Sequence, residues 1–168
     1  MVDHLEEACV ELFAAYEIEA ALAPAPVSFL DSDVAPATLA VIGFVGPGVR
    51  GSLIMVALES AVRGWLAAMG EPEGDPADVL GEFSNMLLGR LKTRLLPDGL
   101  ALQVSTPATA SGKGIRLSTP LLHSQWVSLA GANWEAKVRL DTTFDANFAL
   151  ERTEEREAPA QAGDAIFF

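Results

Sequence analysis

The chain has 168 residues, half of them apolar, enough for one domain with a substantial core and too few for two ordinary ones. Its 23 acidic against 11 basic residues leave a net charge of −12, which repels a phosphate backbone and anionic lipid alike and so excludes nucleic acid and membrane surfaces as partners. Cys9 is the only cysteine, so neither an internal disulfide nor a thiolate metal cluster can form.

The opening segment from Met1 to Glu7 lacks the basic start and apolar run of a signal peptide, and a cytoplasmic protein is expected. Residues 3–20 read as a helix with Leu5, Ala8, Cys9, Leu12 and Phe13 on one side, ended by Pro24 and Pro26. Short apolar runs at 27–30, 39–45 and 52–58 read as strands, the last two joined through Gly-Pro-Gly-Val-Arg-Gly as a hairpin. Glycines and Pro47 interrupt the apolar stretch Leu39 to Val49, so it does not read as a membrane span. Ser60 is placed to cap a short helix ending at Gly70.

A second long helix begins at Asp75-Pro76, with Asp75 suited to the N-cap and Pro76 to the first helical position, and stops near Pro97-Asp98-Gly99. Strands are predicted at 100–106, around 115–122, at 126–130 and at 134–143. In the last of these Trp134, Ala136, Val138 and Leu140 alternate with Glu135, Lys137, Arg139 and Asp141, the pattern of a sheet with one wet face. The fold class expected is α+β in two layers: a long antiparallel β-sheet with helices packed on it, and a helix-then-strands order that occurs twice as an internal pseudo-repeat. Residues 1–150 form the domain, and the acidic stretch 151–168, without apolar periodicity, reads as a disordered tail with an apolar end at Ile166, Phe167 and Phe168.

Within the second helix Asp78, Glu82, Asn85, Gly89 and Lys92 follow 4-3-4-3 spacing and share one face, while Val79, Leu80, Phe83, Leu87 and Leu91 cover much of the rest. Either Glu82 or Asn85 alone reads as ordinary solvated helix surface; the joint spacing carries the functional reading. An Asp or Ser, three residues, Glu, two residues, Asn, and a Pro twenty-two positions on is a pattern met here by Asp78, Glu82, Asn85 and Pro107. It resembles the signature of the CheX-like chemotaxis phosphatases, the family of CheX, CheC and FliY, with weaker similarity in element order from about Val2 to Leu150.

The resemblance implies a phosphatase that accelerates hydrolysis of the aspartyl phosphate of a CheY-type response regulator. Asn85 would orient the attacking water and Glu82 would pair with the regulator's active-site lysine. Asp78 reads as a helix-start charge, Pro107 as a strand terminator shaping the site from behind, and Gly89 as an opening for the partner's loops. Phosphoryl transfer depends chiefly on alignment and charge stabilisation, so no cofactor of this protein's own is expected, and Mg²⁺ belongs to the phosphorylated regulator. The alternative is a non-catalytic CheX-like binding or scaffold module for a regulator.

CheC and FliY carry the Glu-Asn signature twice, whereas Glu6 and Glu7 here are followed three residues on by Cys9 and Val10; a single copy matches CheX. CheX is a homodimer built by sheet edges meeting, so a homodimer is implied by resemblance. The tail end Ile166, Phe167 and Phe168 resembles in outline the C-terminal regulator-binding peptide of the unrelated phosphatase CheZ.

Other chemistries fail on their residues. A P-loop needs Gly where Pro107 stands and Ser or Thr where Gly114 stands, so Ser111-Gly-Lys-Gly114 reads as a hairpin turn. His4 and His123 have no ligand spacing, no metal site is expected, and no Gly-x-Ser-x-Gly elbow occurs. Trp65, Trp126 and Trp134 read as core or sheet-packing residues.

Overall fold

The computed structural model describes residues 2–23, 35–115, 123–146 and 148. Its elements in chain order are α1 (Val2–Ala14), β1 (Ala21–Leu22), β2 (Ala37–Gly46), β3 (Val49–Leu58), α2 (Glu59–Ala68), α3 (Pro76–Leu95), β4 (Gln103–Val104), β5 (Ala108–Gly112), β6 (His123–Ala130) and β7 (Glu135–Phe144). The strands form one antiparallel sheet of order β1-β6-β7-β3-β2-β4, with β5 also on β2. The α+β architecture expected from the sequence is therefore present, with three helices on the sheet.

The core lies between the helices and one sheet face. Leu5, Ala8, Cys9, Leu12 and Phe13 of α1 are all fully buried, as their 3.6-residue stripe requires, against Leu53, Met55, Val138 and Leu140 of the sheet and Leu87, Leu88 and Leu91 of α3. Each buried Leu or Phe contributes roughly 1.5–3 kcal/mol of transfer free energy, so the helices are firmly seated. The rings of Phe13, Trp65, Phe83 and Trp134 meet within this layer, with centroids 5.0 Å apart for Phe13–Trp65 and 5.1 Å for Phe13–Trp134. A smaller apolar cluster of Ala37, Leu39, Ile54 and Val56 occupies the opposite face.

Several local expectations change. Helix α1 ends at Ala14 rather than near residue 20, because the chain reverses through Glu17, whose φ is 57°. Helix α2 starts at Glu59 with Leu58 at its N-cap and no side-chain cap, so Ser60 lies inside the helix. The expected strand 100–106 is only the two-residue β4, and β5 follows it, taking in Ser111 and Gly112 of the expected turn at 111–114; β1 was not expected at all. Strand β7 shows the alternation, but its charged side is not wet: Lys137, Arg139 and Asp141 are 7, 9 and 0% exposed. Because β7 lies between β3 and β6, those side chains are covered by neighbours. Arg139 bonds Asp141 at 2.7 Å and lies 5.3 Å from the Trp126 ring, and Ser124 donates to the same carboxylate oxygen at 2.5 Å. The expected strand at 27–30 and the tail 151–168, with Ile166, Phe167 and Phe168, lie outside the described residues.

Candidate functional site

Helix α3 is fixed first at its start. The Asp75 carboxylate accepts from the Ala77 N–H at 2.8 Å, Pro76 occupies the first helical position, and Asp78 supplies a first-turn negative charge. One side of the helix is then buried by Leu80, Phe83, Leu87, Leu88, Leu91 and Leu95. The buried Ser84 hydroxyl is satisfied by donating to the Leu80 carbonyl at 2.8 Å. Asp78, Glu82, Asn85, Gly89 and Lys92 are all exposed, so the five residues of the predicted row share the solvent side. Glu82 and Asn85, three residues apart, have Cβ atoms roughly 5–6 Å from one another, a span that one small site on a partner can engage.

Two features border this face. On the sheet side, the edge beside β2 breaks between β4 and β5: Ser105 N donates to Gly43 O and Ser105 Oγ accepts from Gly43 N, both at 2.9 Å. Pro107, with no N–H to continue a ladder, follows the break and lies against α3 at Gly81. A Cβ at Gly81 would lie 3.9 Å from Pro107 Cβ and 3.2 Å from Thr109 Cγ2, so the glycine allows the close approach of strand and helix one residue before Glu82. Around Gly89 a Cβ would meet nothing within 4 Å, which leaves that end of the face open.

On the other side lies α1. In the turn that follows it, the Tyr16 ring lies 5.0 Å from that of Phe83 at a tilt of 34°, and its hydroxyl donates to Met86 Sδ at 3.2 Å, so it touches the neighbours in sequence of both Glu82 and Asn85. Farther along, Arg94 reaches Glu7 and Glu11, each at 2.6 Å, and ties α1 to α3. Hydrogen bonding from Arg94 holds the Glu11 carboxyl below its usual range, with the Arg94 and Arg90 charges adding to it.

A cleft of about 510 Å³ opens beside Glu82, between the ends of α1 and α2 and the start of α3. Tyr16, Met69, Val79 and Phe83 supply apolar surface, and Glu17, Glu71 and Glu82 supply carboxylates. Sequence reading missed Gly81, Tyr16 and Glu17. A glycine in mid-helix was a readable signal for the first; nothing local marked the other two.

Among the described residues no three His, Cys, Asp or Glu side chains come together as a metal site requires. The Cys9 thiol is fully buried, and burial, followed by the Glu6 charge, pushes its pKa far above the ordinary range, so it is no nucleophile. No described helix is long and apolar enough to cross a membrane.

A family model described as chemotaxis phosphatase CheX matches residues 38–129, more than half of the chain, from β2 through α3 to β6. No curated protein matches. Among solved structures, the chemotaxis protein CheX of Vibrio vulnificus is 21% identical with a TM-score of 0.73, covering 84% of this chain and 98% of its own. A CheC-like chemotactic protein of Shewanella oneidensis is 20% identical with a TM-score of 0.69, over 84% of this chain and 97% of that one. The CheX–CheY–BeF3–Mg²⁺ complex of Borrelia burgdorferi matches at 16% identity and a TM-score of 0.63, over 84% of this chain and 96% of that one.

Proposed function

The chain belongs to the CheX chemotaxis phosphatase family, and from that premise we propose that it accelerates hydrolysis of the aspartyl phosphate on a CheY-type response regulator through Glu82 and Asn85. The observation that carries this reading is the joint exposure of those two side chains on a helix whose other side is locked into the core. The fold is that of proteins one of which is seen in complex with CheY, BeF3 and Mg²⁺.

The chemistry asked of the site is modest. A water attacks phosphorus, a new P–O bond forms, and the P–O bond to the regulator's aspartate breaks, leaving inorganic phosphate and a free carboxylate. The Asn85 amide both donates and accepts hydrogen bonds, carries no charge, and is short enough to hold that water in line. Glu82, one turn away, pairs with the regulator's active-site lysine and sets the register of the two proteins. Orienting one water supplies about 2–4 kcal/mol, roughly 30- to 1,000-fold in rate. The metal is the Mg²⁺ of the regulator.

The same reading extends to two contacts beyond the helix. The apolar end Ile166, Phe167 and Phe168 tethers the regulator, and two copies of the chain pair through a sheet edge. Among the described residues β1 pairs only Leu129 and Ala130 of β6, and no described strand pairs with His123–Val127 on that side.

The direct test is turnover. The purified protein, at substoichiometric amounts, is expected to hasten phosphate loss from a phosphorylated CheY-type receiver domain. Binding of the activated receiver without faster phosphate loss would identify a non-catalytic module instead.

A further inference from the structure

The face of the sheet turned away from the helices carries a groove that the Glu82–Asn85 row does not use. By strand alternation Gly43 and Val45 of β2, Arg50 and Ser52 of β3 and Gln103 of β4 share the side of Leu39 and Ile54, and with Val104 they line a cleft of about 540 Å³. That volume lies within the roughly 300–1,000 Å³ of pockets that bury most of a ligand. Gly43 makes the depression, because it has no side chain where its neighbours do; a Cβ there would lie 3.4 Å from Ser105 Oγ. The lining is mostly apolar. Val45 is 52% and Val104 42% exposed, and the other exposed large apolar side chains among the described residues, Leu22, Leu96 and Trp126, stand apart on separate elements. Single exposed apolar side chains are ordinary, whereas an adjoining pair that lines a groove marks an interaction surface. Arg50 stands at the rim, exposed, and none of the ion pairs of the described residues involves it.

The course of the chain names the occupant. Val45 faces Arg50 beside the hairpin that joins β2 to β3, and Phe148 closes on the same hairpin. A Cβ at Gly48 would lie 2.8 Å from Phe148 Cδ2, and Asp145 N donates to Gly48 O at 2.9 Å. From Gly48 to Arg50 is roughly 7 Å along the strand, so the residues after Phe148 start beside the groove. Between Phe148 and Ile166 stand seventeen residues. They can span up to about 55 Å, so Ile166, Phe167 and Phe168 reach every part of the groove. Residues 149–168 carry Glu151, Glu154, Glu155, Glu157 and Asp164 against Arg152 and Arg156, an excess of the charge that Arg50 attracts. Laid out extended, Asp164, Ile166 and Phe168 fall on one side about 6.6–6.8 Å apart, which sets a carboxylate at Arg50 and apolar side chains over Val45 and Val104. Tethering holds the segment at an effective concentration on the order of millimolar, so a contact too weak to join separate molecules is still populated.

We infer that this groove holds Ile166, Phe167 and Phe168 of the same chain, with Asp164 on Arg50, so that the segment proposed above as the regulator's tether rests on the sheet until a regulator draws it off. Docking in the groove stands without the regulator; only the release takes its agent from the proposed function.

The full chain with Gln103→Cys and Ala165→Cys tests this, because Gln103 is exposed at the groove and Cys9 is fully buried. A short bismaleimide should join the two new cysteines within one molecule. Adding Phe167→Ser and Phe168→Ser should slow the joining roughly tenfold, the difference between a docked and a merely tethered neighbour, and adding Arg50→Glu instead should slow it about threefold. In the chain without new cysteines, Phe167→Ser with Phe168→Ser should shift the amide resonances of Val45, Ser52 and Gln103 and leave those of Glu82 and Asn85 in place. The shifts should persist on roughly tenfold dilution, as an intramolecular contact requires. An unchanged joining rate in either variant, or shifts confined to other residues, overturns the inference. Joining between two molecules, or shifts that fade on dilution, identifies a second copy as the occupant and overturns it as well. A CheY-type receiver domain carrying Mg²⁺ and beryllofluoride should slow the joining in the parent. A receiver that binds and leaves that rate unchanged overturns the release and the tether, while slower joining in the serine and Arg50→Glu variants would still support the groove.

Discussion

Truncating Asn85 separates catalysis from folding more cleanly than any other change in this protein. The side chain is exposed, and no hydrogen bond among the described residues depends on it. Its loss therefore leaves no orphaned partner, and alanine is the better helix former by up to about 0.7 kcal/mol. Stability of Asn85→Ala is expected within about 0.5 kcal/mol of wild type, or slightly above it. The helix is held by Phe83, Leu87 and Leu88, all buried, so Glu82 keeps its place and the regulator concentration at half-maximal rate should shift by no more than about twofold. The stimulated rate at saturation should fall by roughly 30- to 1,000-fold, the equivalent of about 2–4 kcal/mol of lost water positioning. Asn85→Gln sharpens the test, since it retains the amide but displaces it by one methylene, about 1.5 Å, and misplacement on that scale costs on the order of a hundredfold. The assay follows decay of a phosphorylated receiver domain with substoichiometric protein, alongside thermal melts of each variant. Asn85→Ala protein that drives phosphate release at the wild-type rate would refute the mechanism.

Gly89→Ala should raise stability by about 0.5–1 kcal/mol, a melting shift of roughly 1–4 °C, because an added Cβ meets nothing within 4 Å. If the partner approaches there, the same variant should need more regulator for half-maximal rate, whereas Gly64→Ala, equally open on α2, should only stabilise; identical kinetics in the two would remove Gly89 from the interface. For the pair Glu11–Arg94, the folded-state carboxyl lies below its usual 4.5, so its contribution is present above that value and lost as pH falls through the folded one. Arg94→Ala should thus lower the melting temperature more at about pH 7 than at about pH 3, and an equal loss at both would show that the arginine acts through packing alone. Deleting residues 159–168 should raise the half-saturating regulator concentration several-fold at an unchanged maximal rate, as removal of a tether does; unaltered kinetics would exclude the tail from binding.

What the amino-acid order determined by itself is the local part. The Asp75-Pro76 start, the 3.6-residue stripe of leucines and the 4-3-4-3 row from Asp78 to Lys92 lie within one helix, where geometry follows from spacing alone, so the proposed site was legible before any folding. The alternation of β7 was legible for the same reason, but not its environment. Only the placement of β7 between β3 and β6 made the Arg139–Asp141 side a buried network instead of a wet face. The break at Ser105–Pro107 likewise depends on hydrogen bonds to Gly43, 62 residues away, and the contact of Tyr16 with Met86 spans 70 residues. Propensity carries no information about partners so remote in sequence. The same holds for Glu17: its letter reads as one more surface carboxylate, and only the fold puts it at a left-handed turn on the rim of a cleft assembled from three helices. Tertiary packing decides such positions because chain reversal and burial, unlike helical periodicity, are set by what arrives from elsewhere in the chain.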